Sequence, residues 1–353
     1  MNGRMTTRRG PAVAYEEAYG LTLSSRVRLA RNLRGLPFPD QATAQIRAQV
    51  LQCVQTAARE ALPIQESLAD SPRLFRQRLF EDHLISHHLL EGRPESAVCR
   101  NADRPLSIMI NEEDHVRIQA IRAGLALREA WEDANALDDL LEQQLDYAFS
   151  PTLGYLTSCP TNVGTGMRAS VLMHLPGLVI MSEIEPIING LSKIGLAVRG
   201  RWGEGTAALG HMFQISNQLT LGLSEMRIVE DLEAIVKEVA GHEQNARMRL
   251  KQERGLFAED LAARAEGLLS SARLMTAQEA LERLSELRLG IALGLVKGLD
   301  MQTVDRLLLD VQPAHLQTAA GRSMSGEERD VERARRLRQE LRRPAKRTAK
   351  RNP

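Results

Sequence analysis

The spacing of apolar residues changes at Ser224, and this change limits the folds that are open to the chain. Behind this serine, Ile228, Leu232 and Val236 recur with helical spacing, and Ser224 is placed to cap the start of the helix. A capping box over residues 276–279 predicts a further leucine-rich helix. Ahead of Ser224, the sequence contains both helical and extended patterns. The chain therefore reads as an α+β unit followed by an all-helical unit.

The front unit alternates helical and extended segments. Residues 43–61 carry apolar side chains at a period close to 3.6 and predict a helix. Residues 107–110 predict a short strand, which runs through residues 111–115 into a helical pattern ending at Trp131. Residues 194–198 predict another strand. We therefore expect a leader over 1–20, a mixed catalytic unit over 21–246, a helical unit over 247–340 and a disordered basic tail over 341–353.

Composition narrows the class of protein. Hydrophobic residues make up 43% of the 353 residues, which suits a globular core, and the net charge of +1 argues against a polyanion binder. Three cysteines without a Cys-x-x-Cys pair fit a reducing compartment and no structural zinc site. There is no signal-like apolar segment and no apolar run of membrane length. We expect a cytoplasmic protein.

Arginines are concentrated between Ser24 and Arg34. Arg26 and Arg28 alternate in an extended run, so both would project from one face of a strand. The planar guanidinium fork matches phosphate oxygens. Neither a Walker A loop nor a kinase His-Arg-Asp loop is present, so an ATP enzyme with this sequence would have to hold the phosphates in another way, and arginine is the obvious candidate. The alternative is a solvated basic strand.

Three other segments carry candidate chemistry. Residues 111–115 place three acids and a histidine just ahead of Arg117, which suits either a carboxylate for a cationic substrate, a metal site, or an ordinary acidic helix start. The loop 157–166 surrounds Cys159 with hydroxyls and glycines, and Arg168 would favour a thiolate, although a lone cysteine is usually structural. The Gly-rich stretch 199–206 fits a lid or an exposed hairpin.

Taken together, these segments resemble the phosphagen (guanidino) kinase family, and more narrowly the bacterial protein-arginine kinases of the McsB type. The blocks Ser24–Asn32, Asn111–Arg117, Cys159–Gly166 and Phe213–Gln218 stand in the family's order. The resemblance covers the chain from residue 23 to about 334. It implies an antiparallel β-sheet flanked by helices, followed by an all-helical C-terminal domain.

The resemblance also implies the roles of individual residues. Glu113 and Glu204 match the catalytic carboxylates, and Cys159 matches the reactive cysteine beside the guanidinium. Mg²⁺ would be held through ATP and not by the chain. His83, which would otherwise be read as a helix-surface residue, matches a nucleotide contact. The implied ATP-binding positions are Ser24, Ser25, Arg26, Val27, Arg28, His83, Arg117, Arg168, Ala169, Ser170, Val171, Leu172, Arg199, Gly200, Arg201, Trp202, Gly203 and Glu204.

The implied activity is transfer of the ATP γ-phosphoryl group to arginine side chains of proteins, which marks them for a Clp-type ATPase and protease during stress. The resemblance further implies a zinc-binding activator, a stress repressor as a target and a homodimer. Relatives that act on free arginine carry a helical domain ahead of the Ser-Ser-Arg block, and we expect none here because the block begins at Ser24. A free-arginine kinase and a phospho-arginine-binding adaptor with vestigial activity remain alternatives.

A last element lies in the helical unit. Arg329, Asp330, Arg333 and Ala334 match an Arg-Asp-x-x-Arg-Ala element that the resemblance connects with phospho-arginine binding. Arginines at positions i and i+4 share one helix face and would clamp a phosphoryl group. The alternative is a charged helix surface.

Overall fold

A computed structural model of the chain describes residues 20–102, 106–200 and 209–342. Most of the expected leader and tail therefore lie outside the described residues, and so does the larger part of the expected lid. Within the described ranges, no helix is both long and apolar enough to cross a membrane.

Eight strands form one antiparallel sheet in the order β2-β3-β4-β5-β1-β8-β10-β9, and two short strands form a separate hairpin. This confirms the expected sheet. The strands are β1 (Thr22–Arg31), β2 (Ile64–Ser67), β3 (Ala97–Arg100), β4 (Leu106–Ile110), β5 (Val116–Ala123), β6 (Phe149–Ser150), β7 (Gly154–Tyr155), β8 (Met167–His174), β9 (Leu196–Gly200) and β10 (Met212–Asn217).

Helices flank this sheet and make up the described part of the chain behind it, which confirms the expected fold class. Those interleaved with the strands are α1 (Ala44–Ala58), α2 (Arg73–Glu81), α3 (His87–Leu90), α4 (Leu127–Glu142), α5 (Pro176–Ile180) and α6 (Ile184–Lys193). Those that follow are α7 (Glu225–Glu253), α8 (Gly255–Ser271), α9 (Ala277–Ala292), α10 (Met301–Asp310), α11 (Pro313–Ala320) and α12 (Gly326–Leu341). The predicted boundary at residue 246 falls inside α7, and the division into domains stays a prediction.

Strand β1 lies in the middle of the sheet, between β5 and β8. Its alternation sends Val27 and Leu29 into the main hydrophobic core, where both are fully buried beneath α4. The intervening residues Arg26 and Arg28 project from the opposite face. The apolar alternation of one strand therefore determines which face of the sheet carries the arginines.

The helix expected directly behind residue 115 is wrong in its first part. Residues Val116–Ala123 form β5, which pairs with β4, and α4 begins only at Leu127. Val116, Ile118 and Ala120 are buried at every second position, which is the period of a strand and not of a helix. Residues 111–115 are accordingly a turn between two strands, so the reading as an acidic helix start is also wrong.

Candidate active site

Five arginines from four strands of the sheet lie on its open face: Arg26 and Arg28 of β1, Arg117 of β5, Arg168 of β8 and Arg199 of β9. Arg28 on β1 is directly opposite Arg168 on β8, while Arg117 on β5 is opposite Ala30 of β1. Side chains directly opposite each other in antiparallel strands lie only about 5 Å apart at Cβ. The strand register therefore brings several positive charges close together, which lowers the stability of the folded chain unless another interaction offsets the repulsion.

Four of these arginines line a cleft of about 630 Å³ that also contains the expected carboxylate and cysteine. It is lined by Arg28, Ala30, Glu113, Arg117, Cys159, Thr161, Asn162, Gly166, Arg168, Arg199, Gln218 and Leu219. Segments that are far apart in the sequence thus meet in one place. The cleft has cationic groups of β1, β5, β8 and β9 on its floor, and a carboxylate and a thiol at its side.

The arginine cluster is electrostatically strained. Burial, together with the charges of Arg117 and Arg168, lowers the pKa of Arg26 to about 10. Burial and the charges of Arg26, Arg117 and Arg168 lower the pKa of Arg28 still more strongly, and Glu112 offsets only part of this. The buried Nε of Arg28 has no hydrogen-bond partner among the described residues. An anion placed here would relieve both penalties.

Arg117 forms ion pairs with the three acidic residues of the turn between β4 and β5. Its Nη1 lies 2.5 Å from Glu112 Oε2, and its Nη2 lies 2.9 Å from Glu113 Oε2 and 3.4 Å from Asp114 Oδ2. Although burial alone would lower it, the three carboxylates raise the pKa of Arg117. Glu113 keeps 39% of its side chain exposed, against 4% for Glu112 and 0% for Asp114. Of the three acids, Glu113 is therefore the one that a substrate can reach.

The loop around Cys159 is fixed from two sides. The Asp114 carboxylate accepts a hydrogen bond of 2.8 Å from the backbone N–H of Ser158. The Thr220 hydroxyl lies 3.0 Å from the Thr161 carbonyl oxygen and 2.8 Å from that of Val163. The Cys159 Sγ lies 3.0 Å from the Thr161 hydroxyl and is half-buried. The thiol is thus held at the cleft by contacts with both the acidic turn and the segment behind β10.

A smaller cavity adjoins the arginines on the same face. It is lined by Ser24, Arg26, His83, Ile121, Ser170, Leu172 and Gln214. His83 follows α2 with a positive φ of 59°, and its carbonyl oxygen accepts a hydrogen bond of 2.6 Å from Gln119 Nε2 on β5. The expected helix-surface position of His83 is therefore wrong: the residue lies beyond the helix end and faces a cavity.

The remaining expected ATP-binding positions have three different outcomes. Ser25, Val27, Ala169 and Val171 turn their side chains to the opposite, buried face of the sheet, so only their backbone belongs to the cleft floor. Gly200 ends β9. Arg201, Trp202, Gly203 and Glu204 lie outside the described residues, and their roles stay predictions.

The expected phospho-arginine element lies on α12. Arg333 is 1% exposed and donates hydrogen bonds to the carbonyl oxygens of Val311 and Met275 and to Asp330, at 2.8, 2.8 and 2.6 Å. Ala334 is buried in the hydrophobic core of the helical half of the chain, which comprises residues 225–342. Arg329 is half-buried and donates to the Met324 carbonyl oxygen. This guanidinium pair ties α12 to its neighbours, and phospho-arginine binding there stays a prediction.

The sequence did not indicate separate roles for two acids of the site, Glu112 and Asp114. Asp114 connects Asn32, Ser158 and Arg117, and Glu112 supports Arg117. Their only signal was their place beside Glu113 in one acidic run. His115 in the same run is structural: its Nδ1 accepts from the N–H of Leu33, and burial lowers its pKa. No cluster of three or more metal-binding side chains occurs among the described residues.

Comparison with known proteins agrees with this geometry. Residues 46–246 match the model of the ATP:guanido phosphotransferase C-terminal catalytic domain, and residues 257–352 match that of the protein-arginine kinase McsB C-terminal domain. The protein-arginine kinase of Moorella thermoacetica is 45% identical over 91% of this chain and 94% of its own length. That of Symbiobacterium thermophilum is 47% identical over 91% and 93%.

Solved structures of guanidino kinases share the fold. A lombricine kinase is 28% identical, with a TM-score of 0.57 over 67% of this chain and 68% of its own. A duplicated taurocyamine kinase from Schistosoma mansoni has a TM-score of 0.59 over 74% of this chain and 39% of its own, at 24% identity. The phosphagen kinase fold, the arginine-lined cleft and the two family models lead to one conclusion: this chain is an enzyme of the ATP:guanido phosphotransferase family and belongs to its protein-arginine kinases.

Proposed function

We propose that the enzyme transfers the γ-phosphoryl group of ATP to the guanidinium of arginine side chains in proteins. The observation that carries this proposal is the meeting of Glu113 and Cys159 with the sheet arginines in one cleft. A negatively charged side of the cleft suits a guanidinium, and its cationic floor suits a polyphosphate. The two substrates of such a transfer would therefore lie next to each other.

The sheet arginines suit a nucleotide because their strained charges require an anion. Burial and the charges of Arg117 and Arg168 lower the pKa values of Arg26 and Arg28, and the charge of Arg26 lowers that of Arg28 further. The buried Nε of Arg28 has no partner in the described part of the chain. Phosphate oxygens accept several guanidinium hydrogen bonds at once. Mg²⁺ would enter with the nucleotide and neutralise phosphate charge.

The acids and the thiol act on the acceptor. A guanidinium nitrogen is a weak nucleophile because its lone pair is delocalised and the group is protonated at neutral pH. Glu113 would accept hydrogen bonds from it, orient the attacking nitrogen and receive the proton that nitrogen loses. The N–P bond forms as the bond from phosphorus to the leaving oxygen breaks, and ADP departs. Cys159 would lie beside the guanidinium, and Glu204 is proposed as the second carboxylate.

The biological setting belongs to the same proposal. Names of the relatives and the match of residues 257–352 to the C-terminal domain of protein-arginine kinases favour protein substrates over free arginine. We propose phospho-arginine recognition around Arg329 and Arg333, a homodimer, a zinc-binding activator, and delivery of marked proteins, including a stress repressor, to a Clp-type protease. A cytoplasmic location fits the three free cysteines.

One assay tests the proposal. The protein is incubated with Mg-ATP and either an unfolded arginine-rich protein or free arginine, and acid-labile phosphate is measured on each acceptor. Label on the protein alone is the expected result. Label on free arginine alone would make the enzyme a free-arginine kinase. Absence of label on both acceptors, with phospho-arginine still bound, would leave an adaptor and overturn the proposal.

A further inference from the structure

A buried carboxylate joins the helical half of the chain to the segment that ends in His83. Glu81 is the last residue of α2 and is 7% exposed. Its carboxylate accepts hydrogen bonds from the backbone N–H groups of Ala314, at 2.8 Å, and His315, at 3.1 Å. Both donors belong to the first turn of α11. Residues more than two hundred positions apart are thereby connected.

The start of α11 needs such a partner. The helix opens with Pro313, and the preceding Gln312 forms no side-chain cap, so the N–H groups of its first turn have no acceptor within the helix. A carboxylate at this point supplies the acceptor and interacts favourably with the helix dipole. Glu81 therefore takes the place of an N-cap residue, although it lies on another element.

The next residue strengthens the same contact. Asp82 Oδ1 lies 3.0 Å from His315 Nε2, and Asp82 Oδ2 accepts a hydrogen bond of 2.8 Å from Arg78 Nε. Two consecutive side chains thus face α11. Because adjacent Cα atoms are about 3.8 Å apart, the position of His83 depends directly on how these two residues are held.

His83 itself faces the other way. Its side chain lines the cavity that contains Ser24 and Arg26, and Gln119 of β5 holds its carbonyl oxygen. Its positive φ of 59° belongs to the left-handed residue of a Schellman motif that ends α2, in which the His83 N–H bonds to the Phe80 carbonyl oxygen and the Leu84 N–H to that of Leu79. The docking of Glu81 and Asp82 onto α11 and the hydrogen bond from β5 hold this helix end on its two sides.

We infer that Glu81 is a positioning residue for the nucleotide. By capping α11, it fixes His83 against the Ser24 and Arg26 end of the arginine face, so the helical half of the chain contributes to nucleotide affinity without touching the ligand. This inference rests on the proposed use of ATP at that face. According to this inference, the contact of Glu81 with α11 affects the affinity for the nucleotide, and not only the stability of the fold.

Calorimetric titration with Mg-ADP tests the inference in wild type, Glu81→Gln, His83→Ala and the double variant. Glu81→Gln removes the charge and one acceptor, and we expect its Kd to rise about tenfold. Since Glu81 acts through His83, the double variant should bind no more weakly than His83→Ala alone. Glu66→Gln, which breaks an ion pair with Arg100 at the sheet edge, is the matched control and should leave the Kd unchanged.

An unchanged Kd in Glu81→Gln, or additive losses in the double variant, would overturn the inference. If Glu81→Gln does not fold, Glu81→Asp keeps the charge on a shorter side chain and should give an intermediate Kd, and a wild-type Kd there overturns it equally. The binding readout is independent of transfer. A wild type that binds Mg-ADP but labels no arginine would refute the proposed function and leave this test intact.

Discussion

Arg26 and Arg28 lie half-buried on β1 and face the guanidinium groups of Arg117 and Arg168. In the folded chain, burial and these neighbours lower the pKa of Arg26 from its ordinary value to about 10. For a base, a lower pKa in the folded state means that the charged form costs stability. The cost is complete below about pH 10 and disappears only as pH rises from there towards the ordinary pKa of arginine. At neutral pH, a bound anion is what removes it.

Replacement of Arg26 by Gln should therefore have opposite effects on stability and on binding. We expect the melting temperature of the ligand-free protein to rise by about 2–4 °C, because a desolvated like charge is removed. The affinity for Mg-ADP should fall by about tenfold or more, because a charge-assisted hydrogen bond is lost. Thermal unfolding with and without Mg-ADP measures both. Arg59→Gln, at the exposed end of α1, should change neither, and a destabilised Arg26→Gln protein would contradict the argument.

Glu113 is the exposed member of the three acids around Arg117, so its removal should affect chemistry more than folding. We expect Glu113→Gln to lower kcat by about 10²–10⁴-fold, the usual contribution of a positioned acid or base. Mg-ADP affinity should change little, because Arg117 keeps Glu112 and Asp114 as partners. Initial rates with a protein substrate and calorimetry separate the two quantities. Near-normal turnover would exclude the catalytic role of Glu113. The same loss of kcat is expected for Glu204→Ala.

At the scale of elements, the loop 157–166 depends on two close backbone approaches. Gly164 has a φ of 116°, and a Cβ atom there would lie 2.4 Å from the carbonyl oxygen of Thr220. The same residue exchanges backbone hydrogen bonds with Tyr155 of β7. A side chain at this position would push the loop away from the segment that follows β10. Since that loop carries Cys159, such a shift would reach the cleft.

Gly164→Ala should consequently lower both stability and activity. We expect a loss of a few kcal/mol in the free energy of unfolding, about 1–3 from backbone strain alone, and a lower kcat with less change in Mg-ADP affinity. Urea unfolding and initial rates measure the two effects. Gly190→Ala serves as the matched control, since Gly190 lies within α6 with nothing near its Cβ position. Equal behaviour of the two variants would show that the close approach is unimportant.

How far the elements could be predicted depends on the kind of signal each one carries. The helix over 43–61 and the helix cap at Ser224 were predicted correctly because period and capping are local properties, and the Ser224 hydroxyl indeed accepts from the Arg227 N–H. Strand β5 was missed although Arg117 and Gln119 alternate with its apolar residues, because the strongly acidic turn ahead of it looks like the start of a helix. The register that brings Arg28 opposite Arg168 could not be predicted, since it is decided by pairing across more than a hundred residues.

On the scale of the whole molecule, the sheet and the helical half meet in a buried polar network at His174. This residue ends β8 and is fully buried. Its Nδ1 lies 3.0 Å from Arg288 Nη1, its Nε2 lies 2.8 Å from the Ser285 hydroxyl, and its carbonyl oxygen accepts from Arg247. Because arginine can only donate, Nδ1 must accept, and the imidazole is neutral. Glu243 and Asp305 balance the two arginines.

The electrostatics of this network make stability depend on pH. Burial first, and then the charges of Arg288, Arg247 and His211, hold the pKa of His174 well below 6.5. The folded state therefore keeps His174 neutral at pH 5.5, whereas the unfolded chain binds a proton below its pKa of 6.5. The unfolded state thus gains protons as pH falls, and stability contributed by the neutral imidazole is lost below about pH 6.5.

The size of this loss can be measured. A histidine that stays neutral when folded and titrates at 6.5 when unfolded loses about 1.4 kcal/mol of unfolding free energy between pH 7.5 and 5.5. His174→Gln should lower stability at both pH values but remove this part of the pH dependence, which urea unfolding at the two pH values would detect. His115 and His211, whose pKa values burial also lowers, stay in both proteins and cancel in the difference. His242→Gln changes an exposed histidine and should keep the wild-type slope. An equal slope in His174→Gln and wild type would mean that His174 is protonated in the folded protein, and that the polar network between the two halves is arranged differently from the one described.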